Sequence, residues 1–217
     1  MAYFKGLALA LALVLGACSS GVKKEPSGTI AVDGEHTEAP LKKIPNPYLQ
    51  SGKTAPPAAT QAFAKAQAAM QAQRWRDASE VLQTLTETHP ELSGPWVNLG
   101  IVHWQTSELA KAEASFNKAL TINPLNNEAY NQLGVLLREQ GRFQEALSVY
   151  QKALEVWPHA PATLRNLGIL YDLYMGEFEN ALAAYELALR LAEGDDIELQ
   201  GWIIDLKRRL ASEEGNG

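Results

Sequence analysis

The chain has 217 residues, 46% of them apolar and 20% charged, with 19 Lys and Arg against 25 Asp and Glu. These are the proportions of an ordinary globular protein of one or two domains. The formal charge of −6 gives no support to nucleic-acid binding, which requires a basic face.

At the N-terminus, Lys5 precedes an apolar run from Gly6 to Ala17 that ends at Cys18-Ser19-Ser20. A basic residue, about a dozen apolar residues and small residues before a cleavage point have the anatomy of a secretory signal. The run falls short of the roughly 20 residues that span a bilayer. Leu15-Gly16-Ala17-Cys18 resembles the lipobox of bacterial lipoproteins. That resemblance implies removal of residues 1–17 and a covalent diacylglyceryl and palmitoyl lipid on Cys18; no other cofactor is expected. The alternative is a soluble secreted protein cleaved after Ala17, which would carry a lone thiol in an exported chain. One acyl chain holds a protein weakly, and two or three hold it stably. In the Gram-negative pattern, Asp after the Cys retains a lipoprotein in the inner membrane. Ser19 therefore implies the outer membrane, facing the periplasm. Without residues 1–17 the chain keeps 18 basic and 25 acidic residues, a balance unsuited to gripping anionic lipid by charge.

Residues 18–58 read as a lipidated Cys and a disordered tether. Pro26, Pro40, Pro45, Pro47, Pro56 and Pro57 punctuate a stretch with no apolar period, which buries too little surface to offset its ordering entropy. Ile44-Pro45-Asn46-Pro47-Tyr48-Leu49 is an exception in composition, and docking of this piece on the folded part or on a partner stays open beside a plain linker.

From Ala59 helical periodicity sets in, and with it a repeat. Pro90, Pro124 and Pro158 stand 34 residues apart, as do Gly100, Gly134 and Gly168. A fixed period of this size marks units that stack on their neighbours. Residues 93–126 carry Trp96, Leu99-Gly100, Ala112, Phe116, Ala119 and Pro124. Residues 127–160 carry Tyr130, Leu133-Gly134, Ala146, Tyr150, Ala153 and Pro158. Both resemble the tetratricopeptide repeat, W-x2-L-G-x2-Y…A-x3-F…P, with His103 and Leu137 in place of the first Tyr. Residues 59–92 hold the phase with Ala78, Leu82, Leu85 and Pro90 but have Ala66 where Gly is expected, as end repeats often do. Residues 161–194 hold it with Leu167-Gly168, Tyr171, Ala181 and Tyr185. Gly168 and Gly176 are eight apart, against seven for Gly134 and Gly141, which predicts a wider turn at the end of that repeat's first helix. Leu199, Trp202, Ile203, Leu206 and Leu210 form one helical stripe. They predict a capping helix over 195–212 with Asp195 or Asp196 at its start. The fold class is therefore all-α: a helix-turn-helix solenoid of about four repeats plus a C-terminal cap.

No catalytic constellation is present in the sequence. His36, His89, His103 and His159 are not paired at metal-ligand spacing, and no HExxH, Gly-rich phosphate loop or G-x-S-x-G occurs. The expectation is a protein with no catalytic residues, no metal and no small-molecule substrate. A cell-wall enzyme with an unrecognised site is the rival from another class.

The binding signal is stronger. Asn98, Gln132 and Asn166, each just before a Leu-Gly pair, are again 34 apart. In the family this place lies on the first helix of each repeat and faces the concave groove, where a row of amides can pair with the backbone of an extended peptide. Stabilisation of neighbouring helices is the other reading of the same residues. By the same resemblance Val97, Ile101 and Trp104, then Asn131, Val135 and Arg138, then Arg165 and Ile169 line the groove. Trp104 is equally suited to the core between repeats. The carboxylate clamp of chaperone-binding members is absent: its places hold Phe63, Gln67, Asn98, Glu128 and Gln132, without cations.

The sequence thus implies a lipid-anchored adaptor or scaffold of the cell envelope that binds an extended peptide or protein. Its membrane contact would be through lipid alone, and it would have no nucleic-acid partner. A pilotin-like assembly factor for a secretin or pilus system is the narrower alternative.

Overall fold

The structure is a computed structural model, and it describes residues 41–50, 54–192 and 194–214. Cys18, the signal run and the tether up to residue 40 lie outside the described residues.

Four antiparallel helix pairs follow one another: α2 (Pro57–Gln71) with α3 (Trp75–Thr88), α4 (Ser93–Gln105) with α5 (Leu109–Ile122), α6 (Asn127–Glu139) with α7 (Phe143–Val156), and α8 (Pro161–Leu170) with α9 (Phe178–Leu191). A final helix, α10 (Ile197–Glu214), covers the last pair, and a single turn, α1 (Pro47–Gln50), precedes the first. No described residue is in a strand, so the all-α solenoid with its cap is the fold. No helix among the described residues is long and apolar enough to cross a membrane.

The sequence markers now acquire physical causes. Pro90, Pro124 and Pro158 each stand two residues beyond the last residue of α3, α5 and α7, where they stop the second helix of each pair. The turn inside each pair uses a left-handed residue at the same place, Gln73 (φ 54°), Ser107 (φ 64°) and Gly141 (φ 75°). The recurring glycines mark close approach. A Cβ on Gly100 would lie 2.5 Å from the Phe116 ring, and one on Gly134 or Gly168 would lie 2.4 Å from Tyr150 or Tyr185. Each glycine thus admits the fully buried aromatic of the second helix of its own pair. In the first pair Ala66 and Leu82 take the two equivalent places in one buried cluster. The larger residue on α2 is matched by a smaller one on α3, so the unit is a compensated version of the others.

The extra residue of the fourth repeat is absorbed at the end of α8 as a π-helical turn, Tyr171–Met175, closed by Gly176 at φ 68°. Buried polar pins join successive pairs. Asn126 donates from Nδ2 to Ser93 Oγ (3.0 Å) and accepts from Ala129 N (3.2 Å), while Asn127 donates to Ala153 O (3.1 Å) and accepts from Thr163 Oγ1 (3.0 Å). With both groups satisfied, these amides fix register without leaving buried polar atoms unpaired. Asp196, one of the two expected caps, accepts from Leu199 N (3.0 Å) at the start of α10.

Residues 41–50 lie along the turns that join one helix pair to the next. Lys43 Nζ donates to Leu191 O (3.0 Å), Ile44 N donates to His159 Nδ1 (2.8 Å), and Trp157 Nε1 donates to Ile44 O (2.7 Å). Tyr48 lies beside Phe63 and Gly94 near the start of the solenoid. The segment therefore runs backwards, from the fourth pair to the first. Pro45 and Pro47 lower the entropy lost on ordering it, which allows three hydrogen bonds to hold it. Of the stretch read as tether, this part is a docked strap. Trp157→Phe removes one of its donors while keeping the ring. Trypsin should then cut after Lys43 roughly fivefold faster, the equivalent of about 1 kcal/mol for one hydrogen bond.

Candidate functional site: the groove of the first helices

The first helices of successive pairs touch one another, α4 against α6 and α6 against α8, and each second helix packs between two first helices. Side chains on the free face of α4, α6 and α8 therefore share one surface, and α10 continues it.

On α4, Val97 is buried while Asn98, Ile101 and Trp104 are half-buried. On α6, Asn131 is buried and Gln132, Val135 and Arg138 are half-buried. On α8, Arg165, Asn166 and Ile169 are half-buried. The three amides do not bond to one another. Asn98 Nδ2 donates to Gly94 O (3.1 Å) and Gln132 Nε2 to Glu128 Oε1 (2.7 Å), each one turn back on its own helix, whereas Asn166 Nδ2 donates to Asn131 Oδ1 (2.9 Å) across the repeat boundary. Each amide thus has one hydrogen bond within the chain. Ile101, Val135 and Ile169, again 34 residues apart, supply an apolar row beside them.

The C-terminal end of the groove is the most developed. A pocket of about 360 Å³ opens there between α8 and α10, lined by Ile169, Leu173, Tyr185 and Trp202 with Asp172, Asp205 and Arg209. Arg165 bonds Asp196 (2.7 Å) and Glu198 (2.5 Å) and lies 4.7 Å from the centre of the Trp202 ring. Arg209 on α10 bonds Asp172 in the π-helical turn (2.6 Å), whose side chain is 7% exposed. These ties lock the cap onto the fourth pair and neutralise both arginines. Arg138 differs. Among the described residues its buried Nε and Nη1 have no hydrogen-bond partner, nor does the Tyr150 hydroxyl. The Tyr174 ring, from the π-helical turn, covers its guanidinium at 5.9 Å and packs against Phe143 at 5.0 Å. Burial drives the Tyr150 hydroxyl pKa above its ordinary value, with the Arg138 charge pulling the other way. The phenol therefore stays neutral and available as a donor.

The pocket residues Asp172, Trp202 and Arg209, and Tyr174 over Arg138, are absent from the set that the repeat pattern picked out. A signal for Asp172 existed: it follows Trp104 and Arg138 at the same 34-residue step. Trp202 and Arg209 lie on the cap, beyond the repeat, where the period gives no register. Among the described residues no group of three His, Cys, Asp or Glu is placed to hold a metal ion.

Comparison with known proteins agrees with the geometry. Two tetratricopeptide-repeat family models match, one over residues 63–127 and one over 126–194, together more than half of the chain. Among curated proteins, the peroxisomal targeting signal receptor of Kluyveromyces lactis is 27% identical over 125 residues, covering 58% of this chain and 21% of that protein. The photosystem I assembly protein Ycf3 of Rippkaea orientalis is 39% identical over 70 residues, covering 29% of this chain and 40% of Ycf3. The chain spans well under half the length of either. Among solved structures, pilF of Pseudomonas aeruginosa superposes with a TM-score of 0.65 at 23% identity over 71% of this chain and 70% of that one. The protein TTC0263 of Thermus thermophilus gives 0.58 at 22% identity over 67% and 79%. At these identities the likeness is one of fold. Repeat period, helix pairing and family matches converge: the chain belongs to the tetratricopeptide-repeat family.

Proposed function

We propose that the protein is a lipid-anchored adaptor of the bacterial cell envelope, held at the periplasmic face of the outer membrane through Cys18, that takes an extended segment of a partner protein into the groove of α4, α6 and α8. The observation that carries the binding part is the continuous half-buried surface of Ile101, Trp104, Val135 and Ile169 leading into the pocket under Trp202. Apolar and aromatic side chains flanked by arginine are the usual anchors of an interface. The relatives whose names speak of a targeting-signal receptor and an assembly protein support a role in holding other proteins. The envelope address is supported by the lipobox-like Leu15 to Cys18 and by Ser19.

The two halves are tested apart. Cys18→Ala should abolish metabolic palmitate labelling and release the chain from the membrane fraction; retained labelling refutes the anchor. Ile101→Glu combined with Ile169→Glu should end capture of partner proteins from envelope extracts with helical content unchanged, and undiminished capture refutes the groove. A pilotin-like role is the narrower second reading. It would require the captured partner to be a secretin subunit.

A further inference from the structure

Along the groove, the residue four after each recurring glycine is Trp104 on α4, Arg138 on α6 and Asp172 in the π-helical turn that follows α8. Each stands one helical turn after its glycine, so the three recur one repeat apart along the solenoid. Asp172 is already neutralised by Arg209 of α10. Arg138 stands in the equivalent place one repeat earlier, and no carboxylate lies within ion-pair distance of it among the described residues. Opposite it, where α8 could have supplied an acid, the π-helical turn supplies the Tyr174 ring. The edge of the Tyr150 ring packs on Gly134, one turn before Arg138. Three buried donors, Arg138 Nε, Arg138 Nη1 and the Tyr150 hydroxyl, have no acceptor among the described residues, and the Arg138 charge is felt at the Tyr150 hydroxyl. Unpaired buried donors are costly, and a cation forgoing its pair is costlier still.

We propose that this cluster is a subsite for a carboxylate side chain, so that the groove selects an extended peptide with Asp or Glu at Arg138 and an aromatic or aliphatic residue on the Trp104 row. Adjacent first helices lie about 10 Å apart, and a chain in the extended polyproline-II conformation advances about 3.1 Å per residue and returns a side chain to the same face every third residue. The acidic and apolar residues of the ligand are therefore about three positions apart. The Tyr174 ring, 44% exposed, is the group that must swing aside. It trades a cation–π contact for a charge-assisted hydrogen bond between Arg138 and the ligand. The inference rests on the groove reading above and adds the class of ligand to it.

The test is selection of a displayed random-peptide library on the full chain, on Arg138→Gln and on Arg138→Glu. The expected result is enrichment of peptides with Asp or Glu three positions from an aromatic or aliphatic residue. Affinity for a selected peptide should fall about tenfold in Arg138→Gln, and Arg138→Glu should select Lys or Arg at the same position. Peptides selected without an acidic preference, or equally by Arg138→Gln, overturn the subsite and leave the groove standing. Selection of no peptide at all overturns the groove reading with it.

Discussion

Gly134→Ala is expected to lower the stability of the repeat domain by about 2 kcal/mol, whereas Gly201→Ala is expected to raise it by up to about 1 kcal/mol. Both glycines are helical, so backbone propensity favours alanine equally at each. Their surroundings decide the sign. A Cβ on Gly134 would meet three atoms of the Tyr150 ring within 2.8 Å. That ring is fully buried and rigid, so relief requires α6 and α7 to separate. A Cβ on Gly201 meets nothing within 4 Å. Thermal denaturation of both variants checks the pair. Destabilisation of similar size at the two sites would mean that the glycines matter for chain flexibility and not for helix contact.

Leu206→Ala is expected to cost about 3 kcal/mol and to act locally. Leu206 is fully buried in the same cluster as Leu199, Ile203, Tyr185 and Leu191, so it fastens the cap over the outer face of the fourth pair. In a solenoid each unit draws its stability from its neighbours. The loss should therefore appear first as faster amide exchange in α9 and α10, with α4 to α7 still protected. Uniform loss of protection along the chain would contradict a repeat-by-repeat architecture.

Repeat number, helix pairing and cap were legible because they follow from spacing alone. Pro90, Pro124 and Pro158, each at the end of an apolar-periodic run, cannot continue a helix there, and a glycine recurring with an aromatic 16 residues later, as Gly100 with Phe116, records a close crossing. Ala66 was harder to read. Taken singly it is a departure from the pattern, and only its pairing with Leu82 shows that the volume at the crossing is conserved. The expected wider turn in the fourth repeat takes the form of a π-helical turn, since the extra residue can be inserted without giving up the left-handed Gly176. The strap was legible only as an open alternative, because the composition of Ile44 to Leu49 left docking open while its partners Trp157, His159 and Leu191 lie more than 100 residues away. For the groove, spacing placed side chains on one face but could not tell which already had partners. Asn166 is tied to Asn131 while Arg138 has no acceptor, and that distinction depends on what the neighbouring helix presents.

The claim that the groove holds a partner protein is most directly tested by site-specific photocrosslinking in cells. A photoreactive residue would be placed at 101, 135 and 169 on the groove row, and at Lys118 and Lys152, exposed on α5 and α7. The account predicts that one partner crosslinks from all three groove positions and from neither outer position. Crosslinking from Lys118 or Lys152 with silence at 101, 135 and 169 would contradict it.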